Sequence, residues 1–118
     1  MKRSISALAA AIALASTLVT GASAHSKFEQ TKPANAAVVA SVDAIEIRFD
    51  DPMRVTAIFL AGPDGDVEIA RETGLDPVTM FRAVPVAEIS AGVYTVEWRG
   101  LSADGHPMQS SFGFTVTN

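Results

Sequence analysis

The chain has 118 residues, a formal net charge of −4 and no cysteine. Without cysteine, neither a disulfide framework nor a thiolate metal site is possible, so a folded domain must be stabilised by packing alone. The acidic residues are scattered and the basic residues are not clustered. This pattern argues against nucleic acid and anionic lipid as partners and mildly favours cations.

The amino terminus has the pattern of a secretory signal peptide. Met1–Arg3 is positively charged, Ile5–Val19 is apolar and uncharged, and Ala22-Ser23-Ala24 forms a small-x-small cleavage site. The apolar stretch, about 15 residues, is shorter than the roughly 20 that a membrane span needs. We therefore expect residues 1–24 to be a cleaved leader and residues 25–118 to be an exported domain with no membrane span.

The predicted domain is small and acidic. Cleavage after Ala24 leaves 94 residues, enough for one domain with a single core. Removal of Lys2 and Arg3 leaves seven basic residues against thirteen acidic ones, a formal charge of −6.

The remaining sequence reads as strands separated by turn signals. Alternation of apolar and polar residues, or enrichment in β-branched and aromatic residues, predicts strands at His25–Thr31, Ala44–Phe49, Val55–Leu60, Asp66–Ala70, Thr79–Val86, Val93–Trp98 and Phe112–Val116. Gly62-Pro63-Asp64-Gly65 predicts a turn between neighbouring strands. No window of ten residues has helical periodicity. We therefore predict an all-β fold, an antiparallel sandwich or barrel of about seven strands.

Alternation also identifies candidate core residues. Ile45, Ile47 and Phe49 share one face of a predicted strand, and Tyr94, Val96 and Trp98 share one face of another. We expect the aromatic side chains of Tyr94, Trp98, Phe112 and Phe114 to lie in the core. Asp50 and Asp51 are expected to cap a strand end and face solvent.

The two histidines are the candidate chemical groups. His25 is the first residue of the predicted mature chain, and His106 follows Asp104-Gly105 in a loop or strand edge before Pro107. The α-amine and imidazole of His25 can close a chelate ring on a metal, His106 adds a third nitrogen, and Asp104 offers oxygen. The two histidines meet only if the first strand runs close to the hairpin around residue 105.

Several interpretations of these residues remain open. Three nitrogens and one oxygen in a plane suit Cu(II), which also heads the affinity order of divalent first-row metals. Zinc accepts the same donors but prefers a tetrahedron. Asp-Gly is also a common turn dipeptide, so the residues can instead have a purely structural role. A histidine at the mature terminus favours the metal site, because no packing requirement explains it there.

Three segments resemble the CopC-type periplasmic copper-binding proteins. His25–Ala34 is similar to the mature start of that family, with a histidine, a small residue, an apolar residue and a hydroxyl two positions before Pro-Ala. Ile47–Met53 resembles its apolar-Phe-x-acid-Pro stretch. The third segment comprises Tyr94–Arg99, Ser102–Pro107 and the ending Phe112–Val116. The segments cover nearly the whole mature chain in the family's order.

The resemblance implies a fold, a site and a partner. The fold is cupredoxin-like or immunoglobulin-like, and one Cu(II) is bound by His25 through amine and imidazole, Asp104 and His106. Some members carry a second, Cu(I) site in a methionine-rich loop with its own histidine. Here the methionines are scattered and no third histidine exists, so we predict no such Cu(I) site. The family's usual glutamate before proline is Asp51 in this chain.

The resemblance favours one function over two others. It implies a monomeric copper carrier or buffer in the periplasm, active in copper homeostasis and resistance, whose partner is an inner-membrane protein of the CopD type. The first alternative is an oxidative enzyme with a histidine-brace copper site, although we expect no enzymatic activity because 94 residues leave no room for substrate loops. The second is a metal-free β-sandwich used for adhesion or assembly.

Overall fold

The computed structural model describes residues 29–118, and these residues form eight strands and no helix. The strands are β1 (Glu29–Lys32), β2 (Ala37–Val39), β3 (Ile45–Gly62), β4 (Gly65–Val67), β5 (Ile69–Arg71), β6 (Val78–Pro85), β7 (Gly92–Ser102) and β8 (Pro107–Val116). They belong to one sheet whose main order is β2-β8-β7-β3-β6-β5, with β1 and β4 both paired to β3. The predicted all-β fold is confirmed.

The long strand β3 organises the sheet by changing partners along its length. Its first half pairs with β1 and β6, and its second half pairs with β7 and β4. The register with β6 shifts between Arg48 and Met53, and Pro52 lies in this irregular stretch. Because proline cannot donate a ladder hydrogen bond, it is tolerated at such a bulge. The two strands predicted at 44–49 and 55–60 are therefore halves of one strand.

Strands β1 and β7 follow each other along the same edge of β3. Met53 pairs with Val78 of β6 on one side and with Ser102 of β7 on the other. Because β6 pairs along one side of the first half of β3, β1 pairs along the opposite side, which is the side that β7 occupies in the second half. Antiparallel pairing of β1 places Glu29 opposite Phe49, so the amino-terminal end of β1 faces the end of β7. The amino-terminal strand thus points at the β7–β8 hairpin.

The core consists of the inward positions of the strands that sequence alternation identified. Ile45, Ile47 and Phe49 are buried on one face of β3, as predicted. The other buried apolar side chains are Met53, Val55, Leu60, Phe81, Ala83, Tyr94, Val96, Trp98, Phe112, Phe114 and Val116. The hydroxyl of Tyr94 remains hydrogen-bonded by donating to the Ser90 carbonyl oxygen at 2.7 Å. This core fixes both walls of the hairpin that carries His106.

The structure differs from the predicted strands in three places. The unpredicted strand β2 pairs in parallel with β8, whereas only antiparallel pairs were expected. The predicted strand at 66–70 is divided into β4 and β5, which pair with β3 and β6 respectively. The first predicted strand is observed from Glu29 onward, and His25 lies outside the described residues. Residues 29–118 contain no helix long and apolar enough to cross a membrane.

Candidate metal site

The loop between β7 and β8 is organised by Ser102. The backbone N–H of Ser102 donates to the His106 carbonyl oxygen at 2.9 Å, and the Gly105 N–H donates to the Ser102 carbonyl oxygen at 2.8 Å. Gly105 has a φ of 86°, a left-handed conformation that glycine adopts without steric cost. The Ser102 hydroxyl accepts the His106 N–H at 3.1 Å and donates to Asp104 Oδ1. These bonds close the turn and bring Asp104 and His106 together.

The imidazole of His106 lies against the Asp104 carboxylate. His106 Nδ1 is 3.0 Å from Asp104 Oδ1, and both side chains are largely exposed, at 74% and 71%. An Nδ1–H that donates to this carboxylate fixes the tautomer in which Nε2 carries the lone pair. The pair therefore presents an oriented, solvent-accessible nitrogen donor with a carboxylate beside it.

The same contacts keep Asp104 ionised. Hydrogen bonds from the Ser102 hydroxyl and from His106 hold the pKa of the Asp104 carboxyl well below its usual range. A carboxylate must be deprotonated to bind a metal or to orient a ligating imidazole. Asp104 is therefore available for either task throughout the neutral and mildly acidic range.

Asp104 and His106 open onto a cavity of about 780 Å³. The start of β1 and the irregular stretch of β3 form one side of this cavity, and the β7–β8 hairpin forms the other. Its lining residues are Glu29, Phe49, Asp50, Asp51, Pro52, Met53, Trp98, Ser102, Ala103, Asp104, His106, Met108, Gln109 and Ser110. We call this space the hairpin cavity.

The hairpin cavity is strongly acidic. Its described lining includes four carboxylates, from Glu29, Asp50, Asp51 and Asp104, and neither lysine nor arginine. Walls of one charge sign beside apolar side chains concentrate the electric field and raise the local concentration of counter-ions. The described part of the cavity thus favours cations.

Trp98 forms an apolar wall of the hairpin cavity, and its indole nitrogen has no hydrogen-bond partner among the described residues. Its ring meets that of Phe49 edge to face, with centroids 5.2 Å apart and an interplanar angle of 74°. The residue is 2% exposed, and its Nε1 has no hydrogen-bond partner within residues 29–118. A buried indole N–H normally has an acceptor. The sequence predicted Trp98 as core, and the structure shows that it also lines the site.

The chain matches a family model along almost all of its described length. The model of the CopC domain matches residues 28–117. The chain belongs to the CopC family. Copper resistance protein C of Pseudomonas syringae pv. tomato is 31% identical over 105 residues, which cover 80% of this chain and 82% of that protein. Copper resistance protein C of Escherichia coli is 30% identical over 106 residues, covering 80% and 83%.

Solved CopC-family structures share the fold. PcoC, a copper resistance protein from Escherichia coli, is 26% identical, with a TM-score of 0.63 over 75% of this chain and 96% of that one. CopC from Methylosinus trichosporium OB3b, 24% identical with a TM-score of 0.64 over 77% of this chain and 93% of that one, supports the likeness of fold alone. The predicted family and fold class are therefore both confirmed.

The described residues supply part of the predicted CopC-type ligand set. Asp104 and His106 lie together, whereas His25 lies outside residues 29–118. Within that range no three His, Cys, Asp or Glu side chains form a group that could hold a metal ion. Asp50 and Asp51, expected at a strand end, lie within β3 and line the hairpin cavity.

Sequence reasoning did not identify Ser102 or Glu29 as residues of this CopC site. Serine in a turn is common, and nothing in the sequence shows that its hydroxyl bridges a carboxylate and a backbone N–H. For Glu29 the only signal is its place in the alternation of β1. All four residues of this strand are polar, yet Glu29 and Thr31 lie on its partly buried face while Gln30 and Lys32 are exposed.

Proposed function

We propose that this protein is a periplasmic Cu(II)-binding protein that carries or buffers copper in copper homeostasis and resistance. The proposed ligands are the amine and imidazole of His25, the imidazole of His106 and the carboxylate of Asp104. Each chain binds one Cu(II) as cargo. The names of the relatives in the CopC family support the copper assignment, since two of them are copper resistance proteins.

The observation that carries the proposal is the direction of β1. The strand ends, toward the amino terminus, at Glu29, which lines the hairpin cavity together with Asp104 and His106. Four extended residues span at most about 14 Å, and we propose that this length brings His25 to the cavity that Glu29 lines. Continued alternation would place His25 on the same side of the strand as Glu29. The metal-site hypothesis requires the first strand to approach the hairpin, and the course of β1 supports this.

The chemistry of the donors favours Cu(II). His106 presents an oriented imidazole, Asp104 an ionised carboxylate, and the cavity a negative field. An N,N,N,O set is typical of tetragonal Cu(II) sites, whereas Cu(I) prefers thioether and thiolate sulfur. The chain has no cysteine, its methionines are scattered and it has no third histidine, so we propose no Cu(I) site of comparable affinity.

The decisive experiment alters the amine without touching the core. The mature protein beginning at His25 is compared with a version that retains Ala24, which displaces the α-amine from His25. We expect the mature protein to bind one Cu(II) tightly and the extended protein to bind it at least tenfold more weakly, while thermal unfolding of both copper-free forms is the same. Equal affinity would exclude the amine as a ligand. A second tight copper under reducing conditions would contradict the single-site proposal.

A protein that carries copper needs a partner that receives the copper. We propose an inner-membrane transporter of the CopD type, with this protein acting as a monomer and without enzymatic activity. The exposed position of the Asp104–His106 pair at one end of the domain supports direct transfer, because a partner's ligands could reach the metal without opening the core. Copper-dependent association with that transporter, absent in His106→Ala, is the expected result of a binding assay.

A further inference from the structure

We propose that Glu29 is an electrostatic determinant of the copper site, a carboxylate that raises the affinity of the hairpin cavity for a divalent cation without being a ligand. This inference rests on the proposed function and adds to it a residue outside the expected ligand set. It concerns the one carboxylate of the described cavity lining that is held on the inner face of a strand. The other three belong to exposed residues.

The position of Glu29 is fixed by its strand. Pairing with Phe49 of β3 places Glu29 at the mouth of the hairpin cavity, and its side chain lies on the partly buried face of β1. Ser110 of β8 lines the same cavity, and hydrogen bonding from its side chain lowers the pKa of the Glu29 carboxyl. Residues of both β3 and β8 therefore lie near Glu29.

Two aromatic rings, of Phe49 and Trp98, line the hairpin cavity together with Glu29. Its register partner Phe49 packs edge to face on Trp98, and Trp98 is the register partner of Ser110. Charges interact more strongly beside low-dielectric groups than in bulk water. The carboxylate of Glu29 therefore acts on a metal in the cavity more effectively than an exposed carboxylate at similar range, which water and salt screen.

The partial burial of the Glu29 carboxylate destabilises the copper-free protein. Burial raises the pKa of the Glu29 carboxyl, an effect that the hydrogen bond from Ser110 reduces. A raised pKa in the folded state means that the ionised form lowers the free energy of unfolding at neutral pH, and that this cost disappears as the pH falls. No lysine or arginine lines the described part of the hairpin cavity, and Lys32 and Arg48 line a separate cavity that Glu29 also borders. A bound cation would offset the charge of Glu29, as expected of a residue retained for binding.

The test uses four proteins to distinguish an effect of the Glu29 charge on copper binding from a structural role of the residue. They are the mature wild type, Glu29→Gln, Glu29→Asp and the control Glu97→Gln. Glu97 lies on the same sheet, is exposed and does not line the hairpin cavity, so its replacement changes the net charge equally. Cu(II) affinity is measured by competition with a chelator, and the stability of each copper-free protein by thermal unfolding.

We expect Glu29→Gln to weaken Cu(II) binding by roughly tenfold, while the copper-free variant unfolds at the same or a higher temperature than the wild type. Glu29→Asp, which keeps the charge, should restore most of the affinity, and Glu97→Gln should match the wild type. Affinity of Glu29→Gln within twofold of the wild type would overturn the inference. Loss of affinity together with loss of copper-free stability would also overturn it, because Glu29 would then be only a structural anchor. Failure of the proposed function is distinguishable, because the wild type itself would not bind Cu(II) or would be insensitive to retention of Ala24.

Discussion

Ser102 binds Asp104 through its side chain, and the same hydroxyl accepts the backbone N–H of His106. One serine hydroxyl thus fixes the position of the Asp104 carboxylate relative to the backbone of the loop. Its removal should disturb the orientation of the His106 imidazole without affecting the core, since the loop is exposed.

The first prediction concerns this serine. We expect Ser102→Ala to reduce Cu(II) affinity by about tenfold, within the 10–100-fold range typical of outer-shell partners of metal ligands. Ser111→Ala, at an exposed position of β8 outside the hairpin cavity, is the matched control and should bind as the wild type does. Competition titrations give both affinities. Unchanged binding by Ser102→Ala would show that the turn holds His106 without the hydroxyl.

The second prediction concerns the imidazole itself. His106→Ala should reduce Cu(II) affinity by more than about a hundredfold, because a ligand is lost rather than an outer-shell partner. The side chain is 74% exposed, so the free energy of unfolding of the copper-free protein should change by less than about 0.5 kcal/mol. Isothermal titration and urea unfolding measure the two quantities. Retained affinity would mean that the metal is bound elsewhere.

The third prediction is the direction of pH dependence. Amine and imidazole nitrogens bind copper only after losing their protons, so affinity should fall as the pH falls and binding should release protons. Asp104 should not contribute, because its lowered pKa keeps the carboxylate ionised in this range. Calorimetry in buffers of different ionisation enthalpy counts the released protons, and we expect more than one near pH 6. A flat affinity between pH 5 and 8 would contradict the three-nitrogen site.

The fourth prediction tests the packing of β7 against β3. At Gly100, an added Cβ would lie 2.6 Å from the Arg54 carbonyl oxygen and 3.3 Å from Cγ and Sδ of Met53. Since the backbone contact cannot yield easily, Gly100→Ala should lower the free energy of unfolding by about 1–3 kcal/mol. Gly74→Ala, where a Cβ would meet no atom within 4 Å, is the control. Equal urea midpoints for the two variants would contradict this prediction, because they would show that β3 and β7 shift to accommodate the added methyl group without loss of stability.

The fold was largely predictable because its signals are local. Alternation at Tyr94, Val96 and Trp98 predicted the buried face of β7, and the structure confirms it. The Asp51-Pro52 pair misled the prediction, since a charge and a proline normally end a strand, yet here a bulge absorbs them inside β3. Strand β2 was missed because three residues provide too little pattern.

The site was predictable only in part because it depends on contacts between distant segments. The Asp104–His106 pair lies within one turn, and its residues could be identified from their spacing and from the family resemblance. Glu29 enters the same cavity because β1 and β7 occupy one edge of β3. No periodicity in the sequence records which strands share an edge. The metal-site hypothesis could therefore require the first strand to approach the hairpin, but the residue pattern could not establish that it does.

The shared edge of β3 brings the beginning of the domain beside a turn near its end. On the proposed ligand set, a metal between His25 and His106 closes a ring of about 80 residues, a size at which a disulfide stabilises a protein by around 4 kcal/mol, chiefly by restricting the unfolded chain. The chain has no cysteine with which to form such a bond. Its cargo would then serve as a removable cross-link, and transfer of the copper would also remove this constraint and leave the emptied protein more susceptible to proteases than the loaded one.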